Sequence, residues 1–253
     1  MPAHLKLEIP GTPKPYVMCH RGSVARCPEN TLAAFRQALA EGTDLIETDV
    51  HMTGDGHLVC IHDDKVDRTT DGTGAIRDMS LHQIRSLSAG CGRAAFEHEM
   101  IPTLQEVFEL VPGNMFICLE LKTDDFLDPA PARQLVTQIQ AAGRHERIIL
   151  LSFSSRRLQS VQQQAATIGL ALPTGLISLT RALPTSGINL LGPFWPLLFL
   201  NPLYVWWAHR RGQQVCPLDP SPNRRLWYYR WLGCDAVLTD NPAATLHALG
   251  RTN

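Results

Sequence analysis

The chain has 253 residues with 23 basic against 24 acidic side chains, so its formal net charge is −1. A balance this close leaves no global field for nucleic acid, and an anionic ligand must be met by local charges. Seven cysteines, at positions 19, 27, 60, 91, 118, 216 and 234, show no C-x-x-C spacing, which argues against both a disulfide framework and a zinc site.

Residues 1–15 hold Lys6 and Lys14 among prolines and carry no apolar run of signal-peptide length, so a cytoplasmic protein is expected. Tyr16–Cys19 is a short apolar run ending in His20-Arg21-Gly22. Asn30 or Thr31 then caps a helix whose apolar positions Leu32, Phe35 and Leu39 recur at helical spacing, and Gly42 ends it.

The stretch 46–63 reads as strand, tight turn and strand. Residues two apart on a strand share a face, so Glu47 and Asp49 project together while Ile46, Thr48 and Val50 face the other way. Two adjacent carboxylates repel, and a hard divalent ion with oxygen ligands is the simplest group to sit between them. Taken alone, such a pair is more often two solvated charges. The turn Thr53-Gly54-Asp55-Gly56 sends the chain back, and Leu58–Ile61 delivers His62 and Asp63 to the end of the returning strand.

Ser80 should cap a short helix reaching Leu87. Thr103 and Glu106 have the spacing of a capping box at the start of another. Met115–Leu119 is a buried-type strand ending in Glu120-Leu121-Lys122. The rest alternates: helix 131–142, strand 147–152 followed by Phe153, helix 155–166, strand 172–177, strand 187–191, helix 202–211, strand 213–218 and strand 235–239. Residues 182–208 contain no Asp, Glu, Lys or Arg, but Pro184, Pro193, Pro196 and Pro202 interrupt them. An interior proline costs a helix about 3 kcal/mol, which excludes one continuous membrane-spanning helix.

Taken together, His20-Arg21-Gly22, Pro28-Glu29-Asn30-Thr31, Glu47-x-Asp49, His62-Asp63 with Asp67-Arg68-Thr69-Thr70, and the closing Gly233–Pro242 resemble the glycerophosphodiester phosphodiesterase family. The resemblance runs from about residue 16 to residue 249. It implies one (β/α)8 TIM barrel domain over 1–253 with a small insertion at about 64–100, after the second strand. It further implies a divalent metal, Mg2+ or Ca2+, on Glu47, Asp49 and Glu120, phosphate contacts from Arg21 and Lys122, acid/base catalysis by His20 and His62, and Phe153 flanking the substrate. The implied reaction is hydrolysis of a small-molecule glycerophosphodiester to sn-glycerol 3-phosphate and an alcohol through a cyclic phosphate. Two other readings are a lysophospholipase D with an apolar mouth and a catalytically silent barrel that binds phosphodiesters.

One departure bears on substrate identity. Where the family usually has Trp-Thr-Val-Asn after the seventh strand, this chain has Cys216-Pro217-Leu218-Asp219. All five tryptophans, Trp195, Trp206, Trp207, Trp227 and Trp231, lie after the sixth strand. Residues 194–231 can be read as helix-to-barrel packing with a homodimer contact, or as a patch for peripheral membrane or lysophospholipid contact.

Overall fold

The structure is a computed structural model and describes residues 7–251. Residues 1–6, part of the N-terminal stretch read for a signal peptide, lie outside the described residues. The chain runs β1 (Tyr16–His20), α1 (Leu32–Glu41), β2 (Leu45–Met52), β3 (Leu58–Cys60), α2 (Leu81–Arg85), α3 (Leu104–Leu110), β4 (Phe116–Leu121), α4 (Pro129–Ala141), β5 (Ile148–Ser152) and α5 (Ser155–Thr167). It continues β6 (Thr174–Ser178), β7 (Leu190–Pro193), α6 (Pro196–Leu200), α7 (Tyr204–His209), β8 (Gln214–Val215), α8 (Leu226–Leu232), β9 (Ala236–Thr239) and α9 (Pro242–Ala248).

Eight strands follow one another in the order β8-β7-β6-β5-β4-β2-β1-β9, and the pairs along this path are parallel. Between β9 and β8 the Asp235 amide donates to the Val215 carbonyl at 2.9 Å, which nearly closes the sheet. The result is the expected (β/α)8 barrel. β3 stands outside that path and pairs antiparallel with β2, Val50 opposite Cys60.

The period of two along each strand sorts the core into two layers. Tyr16, Met18, Leu45, Phe116, Cys118 and Ile149 pack together inside the barrel. The alternate positions Ile46, Val50, Ile117, Leu119, Ile148 and Leu150 pack outward with helix residues such as Phe35, Leu135 and Val161. One more step along the inward-facing series of β1, β2 and β4 reaches His20, Glu47 and Glu120. The mouth of the barrel is therefore the continuation of its own interior.

Several boundaries differ from the sequence expectation, and four of the differences have a local physical cause. The fifth barrel strand begins at Thr174 rather than 172, after Pro173, whose ring nitrogen has no hydrogen to give a ladder. The sixth lies at Leu190–Pro193 rather than 187–191, because Gly187 sits at φ 76°, a left-handed turn that ends the preceding loop. The seventh keeps regular pairing only at Gln214–Val215, since Pro217 interrupts it, and contact resumes where the Leu218 amide donates to Pro193 at 2.8 Å. The Pro-rich stretch before the expected helix 202–211 is itself partly helical: Pro196 stands at the start of α6, where a missing N–H costs nothing, and α7 is confined to Tyr204–His209.

The segment after β3, where the insertion is expected, contributes to a small core that includes Val66, Ile76 and Ile84. Ser80 caps α2 and Thr103 caps α3, each in a full capping box. Glu106, the capping-box partner of Thr103, also takes both arms of Arg85 at 2.8 and 2.9 Å and so ties the insertion to the barrel.

Gly22 shows how tightly the loop after β1 is packed. It adopts φ 88°, and a Cβ there would lie 2.6 Å from the Ala34 side chain and 2.7 Å from its backbone carbon. Gly22→Ala should therefore cost about 2–4 kcal/mol, combining backbone strain with overpacking. Urea unfolding measures this directly; a loss below about 1 kcal/mol would show that the loop can shift away from α1.

Candidate active site

Glu47 and Asp49 point into the barrel from β2 and Glu120 joins them from β4, with Asp49 paired beside Glu120 in the parallel ladder. All three are buried, and one oxygen from each lies within 4.8 Å of the others. Burial first, then the charges of Asp49 and Glu120, pushes the Glu47 carboxyl well above the ordinary range. Burial and Asp49 also raise Glu120, against the pull of Lys122.

Two cations stand against this cluster. The Lys122 ammonium donates to Glu120 at 2.9 Å and lies 3.5 Å from Asp49 Oδ1. Arg21 Nε lies 3.3 Å from Asp49 Oδ2 while its Nη1 donates to Glu29 at 2.9 Å. Part of the Arg21 charge is thus spent on acids rather than left open toward the mouth. Asp49 Oδ1 is buried and accepts no hydrogen bond among the described residues. An all-oxygen donor set with an unclaimed carboxylate oxygen suits a hard divalent cation, and the residues fit the metal that the sequence implied.

The loop 21–30 is held in an unusual backbone shape to make this arrangement. Arg21 and Asn30 adopt φ 58° and 55°, values that side chains other than glycine seldom take. The Arg21 amide donates to Glu47 at 3.0 Å, and the Asn30 amide donates to the Arg21 carbonyl at 3.0 Å. Asn30 Nδ2 donates to Asp49 at 2.9 Å and its Oδ1 accepts from Thr48 at 2.8 Å. The positive-φ turn therefore aims donors at the two carboxylates.

Each histidine at the mouth has a carboxylate on Nδ1. His20 meets Asp240 at 2.7 Å and His62 meets Asp63 at 2.6 Å. An ionised carboxylate only accepts, so Nδ1 carries the proton and Nε2 is left for the cleft. Hydrogen bonds from Arg68 are the main cause that holds Asp63 far below the ordinary carboxylate range. Arg68 reaches across to Glu29 as well, at 2.7 and 2.8 Å, and Glu29 in turn holds Arg21. His51 is buried and its Nε2 lies 3.0 Å from the His62 carbonyl. His209 pairs with Asp235 at 2.9 Å, remote in sequence from the histidines of the mouth.

A cavity of about 40 Å³ adjoins the acids, lined by His20, Glu47 and Glu120 on one side and by Leu151, Ile177 and Leu218 on the other. Gly175 and Gly192 keep it open, and a Cβ on Gly175 would lie 2.3 Å from Leu151 Cδ2. Cys216 and Pro217 also line it. The position of the absent aromatic is thus occupied by an apolar wall, while Asp219 is buried against Arg225 and Tyr229. Phe153 is 46% exposed just beyond β5 rather than packed in the core.

The residues to which sequence reasoning gave no part in the site are Glu29, Asn30, Asp63, Arg68 and Asp240; the sequence offers Asn30 only as a candidate cap of α1, a place that Thr31 takes. All lay inside the motifs that carried the family resemblance. What the motifs did not reveal was the pairing, since His20 and Asp240 stand 220 positions apart.

Burial opposes the charge on Glu29, but hydrogen bonds from Arg68 and the nearby Arg21 outweigh it and bring the carboxyl down to about 2. Its folded value lies below its ordinary 4.5, so its stabilisation is complete above about pH 4.5 and fades as the pH falls toward about 2. Arg68→Gln should return Glu29 toward 4.5, and an NMR pH titration of the Glu29 carboxyl checks this. An unmoved titration would assign the depression to Arg21 alone.

Residues 20–244 match the model of the Glycerophosphoryl diester phosphodiesterase family. A glycerophosphodiester phosphodiesterase of Caldanaerobacter subterraneus subsp. tengcongensis is 35% identical over 238 residues, spanning 92% of this chain and 97% of that protein. Among solved structures, an Oleispira antarctica phosphodiesterase in complex with the product sn-glycerol-3-phosphate superposes with a TM-score of 0.82 at 27% identity, covering 93% of this chain and 97% of its own. A glycerophosphodiester phosphodiesterase from Agrobacterium tumefaciens gives 0.78 at 25% identity, over 92% and 99%.

Proposed function

From the premise that this chain belongs to the glycerophosphoryl diester phosphodiesterase family, we propose that it hydrolyses glycerophosphodiesters to sn-glycerol 3-phosphate and an alcohol. The observation that carries the reading is the meeting of three buried carboxylates with two carboxylate-bound histidines at one mouth. A silent binding barrel would have no use for both sets together.

Glu47, Asp49 and Glu120 would hold the divalent cation, Mg2+ or Ca2+, which when bound supplies Lewis-acid polarisation and charge neutralisation at the phosphate. Lys122 and Arg21 add fixed positive charge for the remaining phosphate oxygens. One histidine Nε2 accepts the proton of the substrate's glycerol 2-hydroxyl as that oxygen bonds to phosphorus. The other histidine gives a proton to the departing alcohol oxygen as its bond to phosphorus breaks. With the protonation states now exchanged, the second histidine takes a proton from water, which opens the cyclic phosphate, and the first returns its proton to the ring oxygen. Asp240 and Asp63 keep each imidazole turned so that Nε2 faces the cleft. Using the substrate's own hydroxyl removes the need to position a second reactant. Phe153, exposed at the rim, would flank the glycerol or the alcohol.

A second reading, lysophospholipase D chemistry at the same acids, draws on the apolar wall of Leu151, Ile177 and Leu218 facing Glu47 and Glu120. Parallel assays on glycerophosphocholine and lysophosphatidylcholine separate the two. In both cases turnover should stop on chelation and return with Mg2+ or Ca2+ while circular dichroism stays unchanged. Full activity in excess chelator would sink the metal assignment.

His20→Ala and His62→Ala should each lower kcat by about 10²–10⁴-fold, the usual scale for a lost general acid or base. Steady-state kinetics on glycerophosphocholine provides the check. A variant that kept near-normal kcat would remove that histidine from the proton-transfer scheme.

A further inference from the structure

We propose that the outer flank formed by α6 and α8 docks on an anionic phospholipid bilayer. Leu200, Trp227 and Trp231 are 77%, 67% and 70% exposed, an unusual concentration of large apolar side chains on one surface. They rest on a fixed scaffold. Phe199 stacks on Tyr228 with ring centroids 4.2 Å apart, Tyr228 stacks on Trp231 at 5.7 Å, and the Tyr228 hydroxyl donates to the Leu198 carbonyl at 2.8 Å. Rings held in this way can enter an interface with little further loss of rotamer freedom.

The charge around them selects the occupant. From 182 to 234 the chain has five arginines and a single acid, Asp219, although the whole protein carries a net charge of −1. Asp219 is buried and taken up by Arg225 at 2.7 Å and by the Tyr229 hydroxyl at 2.6 Å. Arg224 and Arg230, each three positions from Trp227, remain exposed. Aromatic rings bordered by uncompensated arginines complement the headgroup region of an anionic membrane. A second copy would suit this flank poorly, because a twofold contact brings together two copies of one arginine-bearing patch, and the single acid of residues 182–234 is buried rather than free to pair them. α6 also leaves the mouth end of β7, and Phe194 pairs with Leu218 of the cavity wall, so the docked flank borders the candidate active site.

Full-length protein floated with vesicles of phosphatidylcholine, alone or with phosphatidylglycerol, tests this without reference to turnover. Binding should appear with phosphatidylglycerol at low salt and weaken at high salt. Trp227→Ala with Trp231→Ala, and separately Arg224→Gln with Arg230→Gln, should each reduce partitioning by about tenfold or more while circular dichroism is unchanged. A wild type that ignores anionic vesicles at low salt, or binds them equally well after both sets of substitutions, overturns the proposal. So does a dimer in solution that the tryptophan pair dissociates without any vesicle binding, which would assign the flank to a second copy.

Discussion

Three carboxylates taken out of water within 4.8 Å of one another are the costliest feature of this molecule, and much of its local structure answers to them. Glu47, Asp49 and Glu120 are pulled together by strand register, since the parallel pairing of β2 with β4 leaves them no choice of distance. Their repulsion is offset only in part by Lys122 and Arg21. The raised Glu47 and Glu120 carboxyls record the remainder, and Asp49 keeps an oxygen with no hydrogen bond among the described residues. A fold stabilised for its own sake would gain by replacing such a group with apolar side chains. Its retention at a barrel mouth is the physical argument for a bound cation.

Around that centre the structure builds one connected system of charges. Arg68 bridges Asp63 and Glu29, Glu29 holds Arg21, and Arg21 faces Asp49. Removing one member would leave its neighbour partly buried and unbalanced, so changes here should couple rather than add. The two histidines differ in this respect. His62 and its carboxylate belong to the arginine network, whereas Asp240 comes from the far end of the chain and meets His20 as β1 and β9 pair. The segment that follows Asp63 therefore does more than decorate the barrel: it supplies Arg68, which holds the carboxylate that meets His62.

The stretch from β7 to β9 departs furthest from a plain barrel. Its strands are short, prolines interrupt its pairing, and it carries every tryptophan of the chain. Val205 and Tyr229 pack inward in a core of their own, while Trp206, Trp227 and Trp231 face outward. Helical geometry forces that division, because neighbouring residues such as Trp206 and Trp207 point about 100° apart and cannot all reach the barrel.

Periodicity and caps alone determined much of this protein. The β-α alternation, the shared face of Glu47 and Asp49, the turn at 53–56, the end of α1 at Gly42 and the capping box at Thr103 are all local properties, set by residues within a few positions of each other. The motifs also located the candidate acids, cations and His20, because strand C-termini of a parallel barrel share one mouth, while His62 is returned to that mouth by the antiparallel β2–β3 hairpin. Tertiary structure decided what those residues touch. His20 with Asp240 and Arg68 with Glu29 are pairs joined by folding across tens to hundreds of positions, and no local pattern encodes them. The ragged strands β7 and β8 were likewise beyond reach of the sequence, since Pro193 and Pro217 are tolerated only where a partner's geometry leaves their missing N–H unneeded.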